Sequence, residues 1–539
     1  MKEGSIAENI IFRTLEGIIG LFFLGVIGVL LVADHRFYYM YKNQNIVPNL
    51  LFFVLFLCFS LRILLYVRVM RPLELKNFRT SKMNVWATRR VIFRLSLALF
   101  IVQIVFTWNI FFKTGWDCAE LVGAAQRLAF EGQPIGDLHY FSIYPNNVFL
   151  VGLFAGILKI TNFTRMLSDY YVLVLVGALL VTMAGFFMAD LVRILTNSPK
   201  LVYSTWVIFA ILTGLSPWVS VPYSDTYSII FPILVVWLFV TRNDRNNAVS
   251  WFLITFFAFV GYFIKPTVIL SFMVVVMVAF VHFVGTVVTR ERDIALKRTI
   301  SFAIGTALAI AIAFGSNMLI KSAVGFTPDE NKSFTAFHYL MMGMNVDSGG
   351  GYNQWDANFS ASAPDVATRN EQDFNEAMRR IEEMGLSRFA SFMCQKILTN
   401  FNDGSFAWGF EGEFYWYIQD RDNHIAPVLR SYYYESGEYY YLFQLVSQAI
   451  WFMVLIGLTF SLISIFYATD YRYVVVRLCV FAIALFLLVF EARARYLYLY
   501  SPLIYTASAL GMDAHINRIQ TRELKRKRNA THISKRKAA

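Results

Sequence analysis

The sequence is poor in charged residues. They make up 16% of its 539 residues, whereas a soluble domain carries about 25%. Hydrophobic residues make up 57%, aromatic residues 17%, and the mean hydropathy is +0.52. The apolar residues form long runs separated by short polar breaks, and a helix of about 20 apolar residues crosses a membrane. This composition excludes a soluble enzyme and predicts an all-α polytopic membrane protein.

Cysteine and histidine are also scarce. The chain has four cysteines and seven histidines. Cys58 and Cys479 fall in apolar runs, and Cys118 and Cys394 fall outside them. Their spacing is typical neither of a metal site nor of a disulfide framework. The sequence therefore predicts no metal site, and a Cys118–Cys394 bridge is left open for the case that both residues face outside.

The basic residues lie in short loops and tails. The net charge is +12, and the largest clusters are residues 68–94 and the tail from residue 522. Short loops rich in Lys and Arg stay in the cytoplasm. We therefore predict a multi-pass protein of the cell membrane with both termini cytoplasmic. The positive charge is explained by this topology and does not indicate a nucleic-acid partner.

The apolar runs predict the membrane spans. In chain order they cover residues 15–33, 47–67, 91–112, 148–160, 170–195, 201–215, 226–240, 250–288, 299–320, 442–467, 474–490 and 496–512. The run 250–288 is predicted to be a hairpin broken at Lys265-Pro266, because proline interrupts a helix. The bundle then has about 12–13 spans. The number stays open because cytoplasmic termini require an even count and the run 148–160 is short.

Polar segments divide the chain further. The predicted parts are N-terminal membrane helices with a basic cytoplasmic loop (1–112), a first external loop (113–146), membrane helices (147–320), an external soluble domain (321–440), C-terminal membrane helices (441–512) and a basic cytoplasmic tail (513–539). The external domain has mixed composition. A charged amphipathic helix is predicted at 367–383, followed by an aromatic stretch at 401–441. We expect this domain to cap the helical bundle.

Ionisable residues near the external ends of the spans are the candidate site residues. Charged groups at membrane depth are costly, so each of them is a functional candidate. The set comprises Asp117, Glu120, Asp225, Lys265, Glu491, Arg493 and Arg495. The predicted topology brings all of them to the external face. Their mixture of acids and cations suits a phosphate-bearing substrate together with a proton acceptor.

Two of these carboxylates, Asp117 and Glu120, open a helix predicted at 116–130. They are three residues apart and therefore share one face of that helix. Asp117 is the candidate general base, and Glu120 is the second catalytic candidate. The structural alternatives are a carboxylate stabilised by the helix N-terminus for Asp117 and a capping-box position for Glu120.

The other candidates also have structural alternatives. Asp225 follows a proline-containing segment and opens an apolar run, as an N-cap residue does. Lys265 either contacts phosphate or extends to the membrane interface. Arg493 and Arg495 suit bidentate phosphate binding, and the alternative is an external loop with unpaired charge. His139 is a lone histidine, for which a hydrogen-bonding surface residue is the structural interpretation.

Three short motifs follow one another along the chain. They are Gly115-Trp-Asp-Cys-Ala-Glu120, Pro222-Tyr-Ser-Asp225 and Arg493-Ala-Arg-Tyr496 with Pro502. Their order resembles the GT-C superfamily of polytopic membrane glycosyltransferases, such as the protein O-mannosyltransferases and the GPI mannosyltransferases. The three look like the acidic motif of the family's first external loop, the small acidic motif entering a mid-chain helix, and the late Arg-Tyr motif. The chain is also similar to uncharacterised Gram-positive integral membrane proteins of this type.

The resemblance implies a GT-C-like bundle that transfers a hexosyl or pentosyl group. The donor would be a polyprenyl-phosphate-linked sugar, and the acceptor a cell-surface glycan, lipid or protein on the extracytoplasmic face. By analogy, Asp117 takes the acceptor proton in an inverting displacement, with Glu120 as the second catalytic carboxylate. Lys265, Arg493 and Arg495 would hold the donor phosphate. The substrate-binding residues would be Tyr223, Asp225, His139, Tyr144 and Tyr496.

The chain departs from the family's pattern in the first motif. The adjacent acidic pair is missing, because Cys118 follows Asp117. No cofactor is required by the sequence, and a divalent metal such as Mg²⁺ or Mn²⁺ is left open without a residue pattern to support it. The expected partners are the lipid-linked donor, the acceptor and the lipid bilayer.

Two other functions stay open. A transporter or lipid flippase is expected to have repeat symmetry and polar residues at mid-span, whereas the candidates here gather at one face. A glycan polymerase would carry its essential arginines in the large external loop, where Arg379, Arg380 and Arg388 lie.

Overall fold

The computed structural model of the protein is almost entirely helical. It describes residues 6–32, 85–133, 138–161, 168–196, 198–242, 247–288, 292–412, 414–466 and 470–538. The second predicted span (47–67) and most of the basic loop after it lie outside the described residues. The predicted class, an all-α polytopic membrane protein, is confirmed.

The first part of the chain forms twelve described helices. They are α1 (Ile6–Val32), α2 (Val85–Asn109), α3 (Trp116–Gln126), α4 (Leu138–Ile143), α5 (Asn147–Thr161), α6 (Asp169–Thr196), α7 (Pro199–Phe209), α8 (Ser224–Ser228), α9 (Ile230–Arg242), α10 (Ala248–Ile264), α11 (Ile269–Val288) and α12 (Arg292–Val324). Short π-helical turns extend α3 over Arg127–Glu131 and α7 over Ala210–Gly214. The helix predicted at 116–130 is therefore present.

The remaining helices belong to the large polar segment and to the C-terminal spans. They are α13 (Ala336–Gly343), α14 (Gln354–Ala361), α15 (Val366–Phe401), α16 (Ile425–Tyr433), α17 (Tyr440–Thr459), α18 (Tyr471–Val489) and α19 (Arg495–Ala538). Two short strands, β1 (Phe112–Thr114) and β2 (Tyr415–Ile418), pair antiparallel with Phe112 opposite Ile418.

Eight described segments are long and apolar enough to cross a membrane. They are Ala7–Val32, Thr88–Asn109, Asp169–Thr196, Ser224–Arg242, Pro266–Gly285, Leu296–Val324, Tyr440–Ile463 and Tyr471–Val489. Three shorter apolar segments are Asn147–Thr161, Pro199–Gly214 and Ala248–Ile264. The last predicted span (496–512) is the buried beginning of α19. The total of about 12–13 spans stays a prediction, because 47–67 lies outside the described residues.

Proline breaks the apolar hairpin where the sequence predicts a turn. Helix α10 ends at Ile264, and Lys265 adopts an extended conformation (φ −146°, ψ 115°). A 3₁₀ turn over Pro266–Val268 then leads into α11. Proline lacks a backbone N–H and cannot continue the hydrogen-bonding pattern of α10. The break leaves the Lys265 side chain free to turn into the bundle.

The charged helix of the polar segment ends close to where it is predicted to end. Helix α15 begins where expected, with Asp365 accepting a hydrogen bond from the Thr368 backbone N–H (2.8 Å). Gly385 (φ +60°, ψ 172°) is not helical, so the charged part of α15 stops beside the predicted end at residue 383. A second helical part, which the sequence did not predict, continues to Phe401 and buries Phe392 and Phe401 among other apolar side chains.

The aromatic stretch holds the end of α2 in place. Besides the pairing of the two strands, the Arg421 Nε donates to the carbonyl oxygen of Trp108 (3.0 Å), and the Arg430 Nε donates to that of Asn109 (3.1 Å). The Tyr434 hydroxyl donates to the carbonyl oxygen of Ile110 (2.9 Å). The unpaired carbonyls at the end of a helix need such partners. The chain between α2 and α3 is thereby fixed.

Within the membrane-spanning part, Glu16 of α1 forms an ion pair with Arg477 of α18. Both side chains are almost completely buried. The two helices pack against each other, so the pair joins the N-terminal span to the C-terminal part of the bundle.

We predict that loss of either partner destabilises the protein strongly. An isolated buried charge costs about 3–5 kcal/mol, so Glu16→Ala or Arg477→Ala lowers the free energy of unfolding by about that much. The double variant Glu16→Leu/Arg477→Met recovers stability, because no charge is left unpaired. Denaturant unfolding in detergent micelles measures this effect.

The exposed pair Asp329–Lys332 supplies the control. Asp329→Ala should change stability by less than about 1 kcal/mol. Equal effects of Glu16→Ala and Asp329→Ala would contradict the prediction.

Candidate active site

Separate parts of the chain meet in one polar cluster. They are the start of α3, the start of α8, the break before Pro266, the π-helical turn Trp408–Gly412 and the segment between α18 and α19. The members of the polar cluster are Asp117, Tyr223, Asp225, Lys265, Glu411, Glu491, Arg493, Arg495 and Tyr496. All of the predicted ionisable candidates except Glu120 are in this cluster.

Asp117 lies in the first turn of α3 and is partly exposed. The Tyr223 hydroxyl donates to its Oδ2 (3.0 Å), and Tyr140 is a second hydrogen-bonding neighbour. The preceding residue, Trp116, has φ +44°, a left-handed conformation that is uncommon for a large side chain. Its indole packs edge-on against Tyr223, with ring centroids 4.7 Å apart. Two aromatic side chains therefore fix the direction of the carboxylate.

Asp225 binds two cations. Its Oδ1 lies 2.5 Å from the Lys265 Nζ, and its Oδ2 lies 3.3 Å from the Arg495 Nε. All three side chains are at least nine-tenths buried. The N-cap position of α8 is held by Tyr223, so the N-cap alternative for Asp225 is wrong. Lys265 points into the protein and pairs there, so its extension to the membrane interface is also wrong.

Glu411 is a member that the sequence did not single out. Its Oε2 lies 3.0 Å from the Arg493 Nη1 and 3.6 Å from the Arg495 Nε. Arg493 and Arg495 are therefore close to one carboxylate, and neither is an unpaired loop charge. Glu411 sits on the turn Trp408–Gly412, which follows two left-handed residues, Phe406 and Ala407 (both φ +57°). Glu413 follows two residues later in the same aromatic stretch, so the sequence does not distinguish Glu411.

Glu491 holds the other side of Arg493. The Arg493 Nε donates to Glu491 Oε1 (2.7 Å), and the Tyr496 hydroxyl donates to Oε2 (2.7 Å). Burial alone raises the pKa of a carboxyl group. Here the guanidinium groups of Arg493 and Arg495 and the Tyr496 hydroxyl outweigh it and hold the pKa of Glu491 below its usual value. Glu491 therefore stays ionised and orients Arg493.

Aromatic rings enclose the buried cations. The Arg495 guanidinium carbon lies 4.8 Å from the Trp116 ring centroid and 5.2 Å from that of Tyr223. The Lys265 Nζ lies 4.1 Å from the centroid of Tyr496. A cation over an aromatic face is stabilised without losing its hydrogen-bonding capacity. Tyr223 contacts both Asp117 and Arg495, so it joins the carboxylate to the cations.

The polar cluster retains free hydrogen-bonding atoms. Within the described part of the chain, Arg495 Nε, Asp225 Oδ2, Glu411 Oε1 and Trp116 Nε1 are buried without a hydrogen-bond partner. The two ion-pair contacts of Arg495 Nε are close but not aligned as hydrogen bonds. Unsatisfied buried polar atoms are costly. A polar ligand that reached these donors and acceptors would remove this cost.

The remaining predicted residues lie around this cluster. Glu120 is partly exposed on α3 and makes no hydrogen bond or ion pair within the described ranges; it does not cap the helix, so the capping-box alternative is wrong. His139 is exposed on α4. Tyr144 interacts electrostatically with the polar cluster: burial and the Asp117 carboxylate raise the pKa of its phenol. Among the residues that the structure describes, no group of three or more His, Cys, Asp or Glu side chains could hold a metal ion.

Lys396 supports the segment that carries Glu491. It is fully buried on α15, and its Nζ donates to the carbonyl oxygens of Gly343 (2.7 Å) and Phe490 (2.7 Å). Burial lowers the pKa of this amine to about 7. A neutral amine has two N–H bonds, which match the two carbonyls. Lys396 was not predicted, because helix α15 contains many other charged residues.

A family model places the chain among known sequences. The family described as "conserved hypothetical integral membrane protein" matches residues 11–516. The chain belongs to this family. The match includes every member of the polar cluster, and it agrees with the helical membrane architecture.

Other comparisons are more distant. The chain is similar to the crystal structure of ArnT from Cupriavidus metallidurans bound to undecaprenyl phosphate, with 12% sequence identity and a TM-score of 0.27. The similarity covers 78% of this chain and 77% of that one. At this TM-score the likeness carries no argument about activity. No curated protein matches the sequence.

Lys396 generates a pH prediction. The unfolded chain keeps the lysine proton up to about pH 10, whereas the folded protein releases it above about pH 7. The unfolded state therefore binds more protons between these values, and the free energy of unfolding contributed by this group rises with pH in that window. Lys396→Met should flatten this rise in unfolding measured at a series of pH values.

The exposed residue Lys332 serves as the matched control, since Lys332→Met should leave the pH dependence unchanged. An unaltered slope in Lys396→Met would show that the buried amine does not titrate in this window.

Proposed function

We propose that the protein is a membrane glycosyltransferase that moves a sugar from a polyprenyl-phosphate donor to a hydroxyl of a glycan, lipid or protein on the extracytoplasmic face. Asp117 is a partly exposed carboxylate, and the ring of Tyr223 separates it from the buried cations. This placement is the observation that supports the proposal most. Such a transfer needs a proton acceptor on one side of the sugar carbon and positive charge beside the departing phosphate.

Asp117 acts as the general base. The acceptor hydroxyl gives its proton to Asp117, its oxygen forms a bond to the anomeric carbon, and the bond from that carbon to the phosphate oxygen breaks. The polyprenyl phosphate leaves with the bonding electron pair. Because attack and departure occur on opposite faces in one displacement, the configuration is inverted. The hydrogen bond from Tyr223 keeps the carboxylate pointed at the acceptor.

Arg493, Arg495 and Lys265 receive the phosphate. In the structure they pair with Glu411, Glu491 and Asp225. The Nε of Arg495, which has no aligned hydrogen-bond partner among the described residues, provides the first contact, and the phosphate then replaces part of the pairing with Glu411. The carboxylates are positioning residues that keep the cations oriented without the ligand. Positive charge that is already oriented stabilises the leaving group with little reorganisation.

The bilayer supplies the donor. A polyprenyl tail is as apolar as the membrane-spanning helices and lies among them, while its phosphate reaches the polar cluster. The basic loops that set the predicted topology keep both termini in the cytoplasm, and the cluster then faces the other side. Tyr496 and Tyr144 border the sugar, together with Asp225 and Tyr223. Glu120 and His139 are the outer members of the proposed acceptor side.

We predict that Asp117→Asn lowers transfer by about 10²- to 10⁴-fold, the usual contribution of a general base. The variant keeps the size and the hydrogen bond to Tyr223, so it should fold normally. Radiolabelled sugar transfer in membranes supplied with polyprenyl-phosphate sugars measures the loss. The matched control is Glu120→Gln, three residues along the same helix, with an expected loss of less than tenfold, roughly the effect of one exposed carboxylate. Full activity of Asp117→Asn would refute the assignment.

We further predict that Arg495→Lys raises the KM for the lipid donor. Lysine keeps the charge but loses the planar pair of donors. One charge-assisted hydrogen bond contributes about 1.5–3 kcal/mol, which corresponds to about a tenfold to hundredfold increase. Steady-state kinetics at varied donor concentration provide the test. An increase in the KM for the acceptor alone would assign Arg495 to the other substrate.

A further inference from the structure

We propose that a groove on the large polar segment, formed by residues 344–347 after α13, the start of α14 and the middle of α15, is a binding subsite for a neutral saccharide chain, with Trp355 as its platform. The proposal rests on the proposed function, because the saccharide would be the acceptor or the glycan that carries it. The groove is separate from the polar cluster, and its cavity measures about 340 Å³. This volume is within the range of small-ligand sites.

Trp355 is exposed but rigid. It lies in the first turn of α14, and 57% of its surface is exposed. Its backbone N–H donates to the side chain of Asn353 (2.8 Å), and its ring stacks on Phe359 with centroids 5.1 Å apart. Leaving so large an apolar surface in water is unfavourable. A sugar ring has an apolar C–H face. It would cover the indole, remove this apolar surface from water and so gain favourable free energy.

The wall of the groove is built from fixed polar groups. Arg380 donates to Asp356 (2.7 Å), to Glu376 (2.9 Å) and to the carbonyl oxygen of Met341 (2.9 Å). Asp356 is completely buried and also accepts from Asn345 (2.9 Å). This network leaves the guanidinium 5.8 Å from the Trp355 centroid. The hydrogen bonds therefore fix the Arg380 guanidinium at the wall of the groove, beside the Trp355 ring.

The charge of the groove selects against an anion. Three arginines and three carboxylates line it: Arg379, Arg380, Arg388, Asp347, Glu376 and Glu383. Equal numbers of both signs give no net field to attract a polyanion. The floor is apolar, with Met344 and Met384 buried against Phe392. Hydroxyl groups, which both donate and accept hydrogen bonds, fit this lining better than a phosphate or a lipid tail does.

Gly385 shapes the edge of the groove. Its backbone (φ +60°, ψ 172°) is in a region that only glycine occupies readily. The interruption of α15 at this point divides the helix between Met384 and Arg388, and both residues still line the groove. Arg388 is exposed and forms no ion pair with the described residues, so its donors are available to a ligand.

A short turn connects the groove to the polar cluster. Asn353 lines the groove, and its neighbour Tyr352 is half-exposed. Burial and the Asp117 carboxylate raise the pKa of the Tyr352 phenol. The carbonyl oxygen of Gly350 accepts from the Ala492 N–H (2.7 Å), next to Glu491. A saccharide on Trp355 would extend along this turn towards Glu491 and the polar cluster.

The test measures binding without catalysis. Full-length protein in nanodiscs is titrated with neutral gluco-, manno- and galacto-oligosaccharides, from di- to hexasaccharides, by isothermal calorimetry. At least one series should bind, and Trp355→Ala should weaken it about tenfold, whereas Trp355→Phe restores most of the affinity. The matched control is Trp416→Ala, which removes a more exposed tryptophan (70%) from β2 and should leave binding unchanged. Arg388→Ala should weaken binding as well.

The outcomes separate this proposal from the proposed function. Asp117→Asn should bind the saccharide as the unsubstituted protein does, so loss of transfer without loss of binding supports both proposals. Binding that persists unchanged in Trp355→Ala, or no binding of any neutral series, would overturn the subsite. Neither result depends on whether the protein transfers sugar.

Discussion

The carboxylate of Asp225 holds together three parts of the chain that are far apart in sequence. Lys265 and Arg495 approach its two oxygens from the α10–α11 break and from the start of α19. All three side chains are buried, and a buried charge without a partner is strongly destabilising. The packing of these helices therefore depends on the pairing. The same pairing keeps the cations oriented beside Tyr223, through which they meet Asp117.

Membrane topology explains why much of this site could be predicted. Charged residues are rare in apolar runs, so Asp117, Asp225, Lys265, Arg493 and Arg495 are conspicuous in the sequence. Lysine and arginine in the loops indicate which ends of the spans share a side, and residues at those ends can meet. The break at Pro266 and the helix that begins at Trp116 could also be predicted, because both follow from local sequence chemistry.

The residues that were missed lie in the polar segment. Glu411 and Lys396 are charged residues among many others there, and only tertiary contacts distinguish them. Glu411 reaches the cations because the chain adopts two left-handed residues before it, a conformation that no residue type in Phe406-Ala407 favours. The second helical part of α15, after Gly385, was missed for a related reason, since it depends on the apolar packing of Phe392 and Phe401. The expected roles of Glu120 and His139 stay predictions.

The proposed reaction depends on a base on one side of the sugar carbon and on oriented cations on the other side. The measurement that tests it most directly is an experimental structure of the full chain in nanodiscs with bound polyprenyl phosphate. The account predicts the phosphate within hydrogen-bonding distance of Arg493 and Arg495, with the contact between Arg495 and Glu411 lengthened and Asp117 facing the free phosphate oxygen. A phosphate bound elsewhere, with the pairs of Asp225 and Glu411 unchanged, would contradict it.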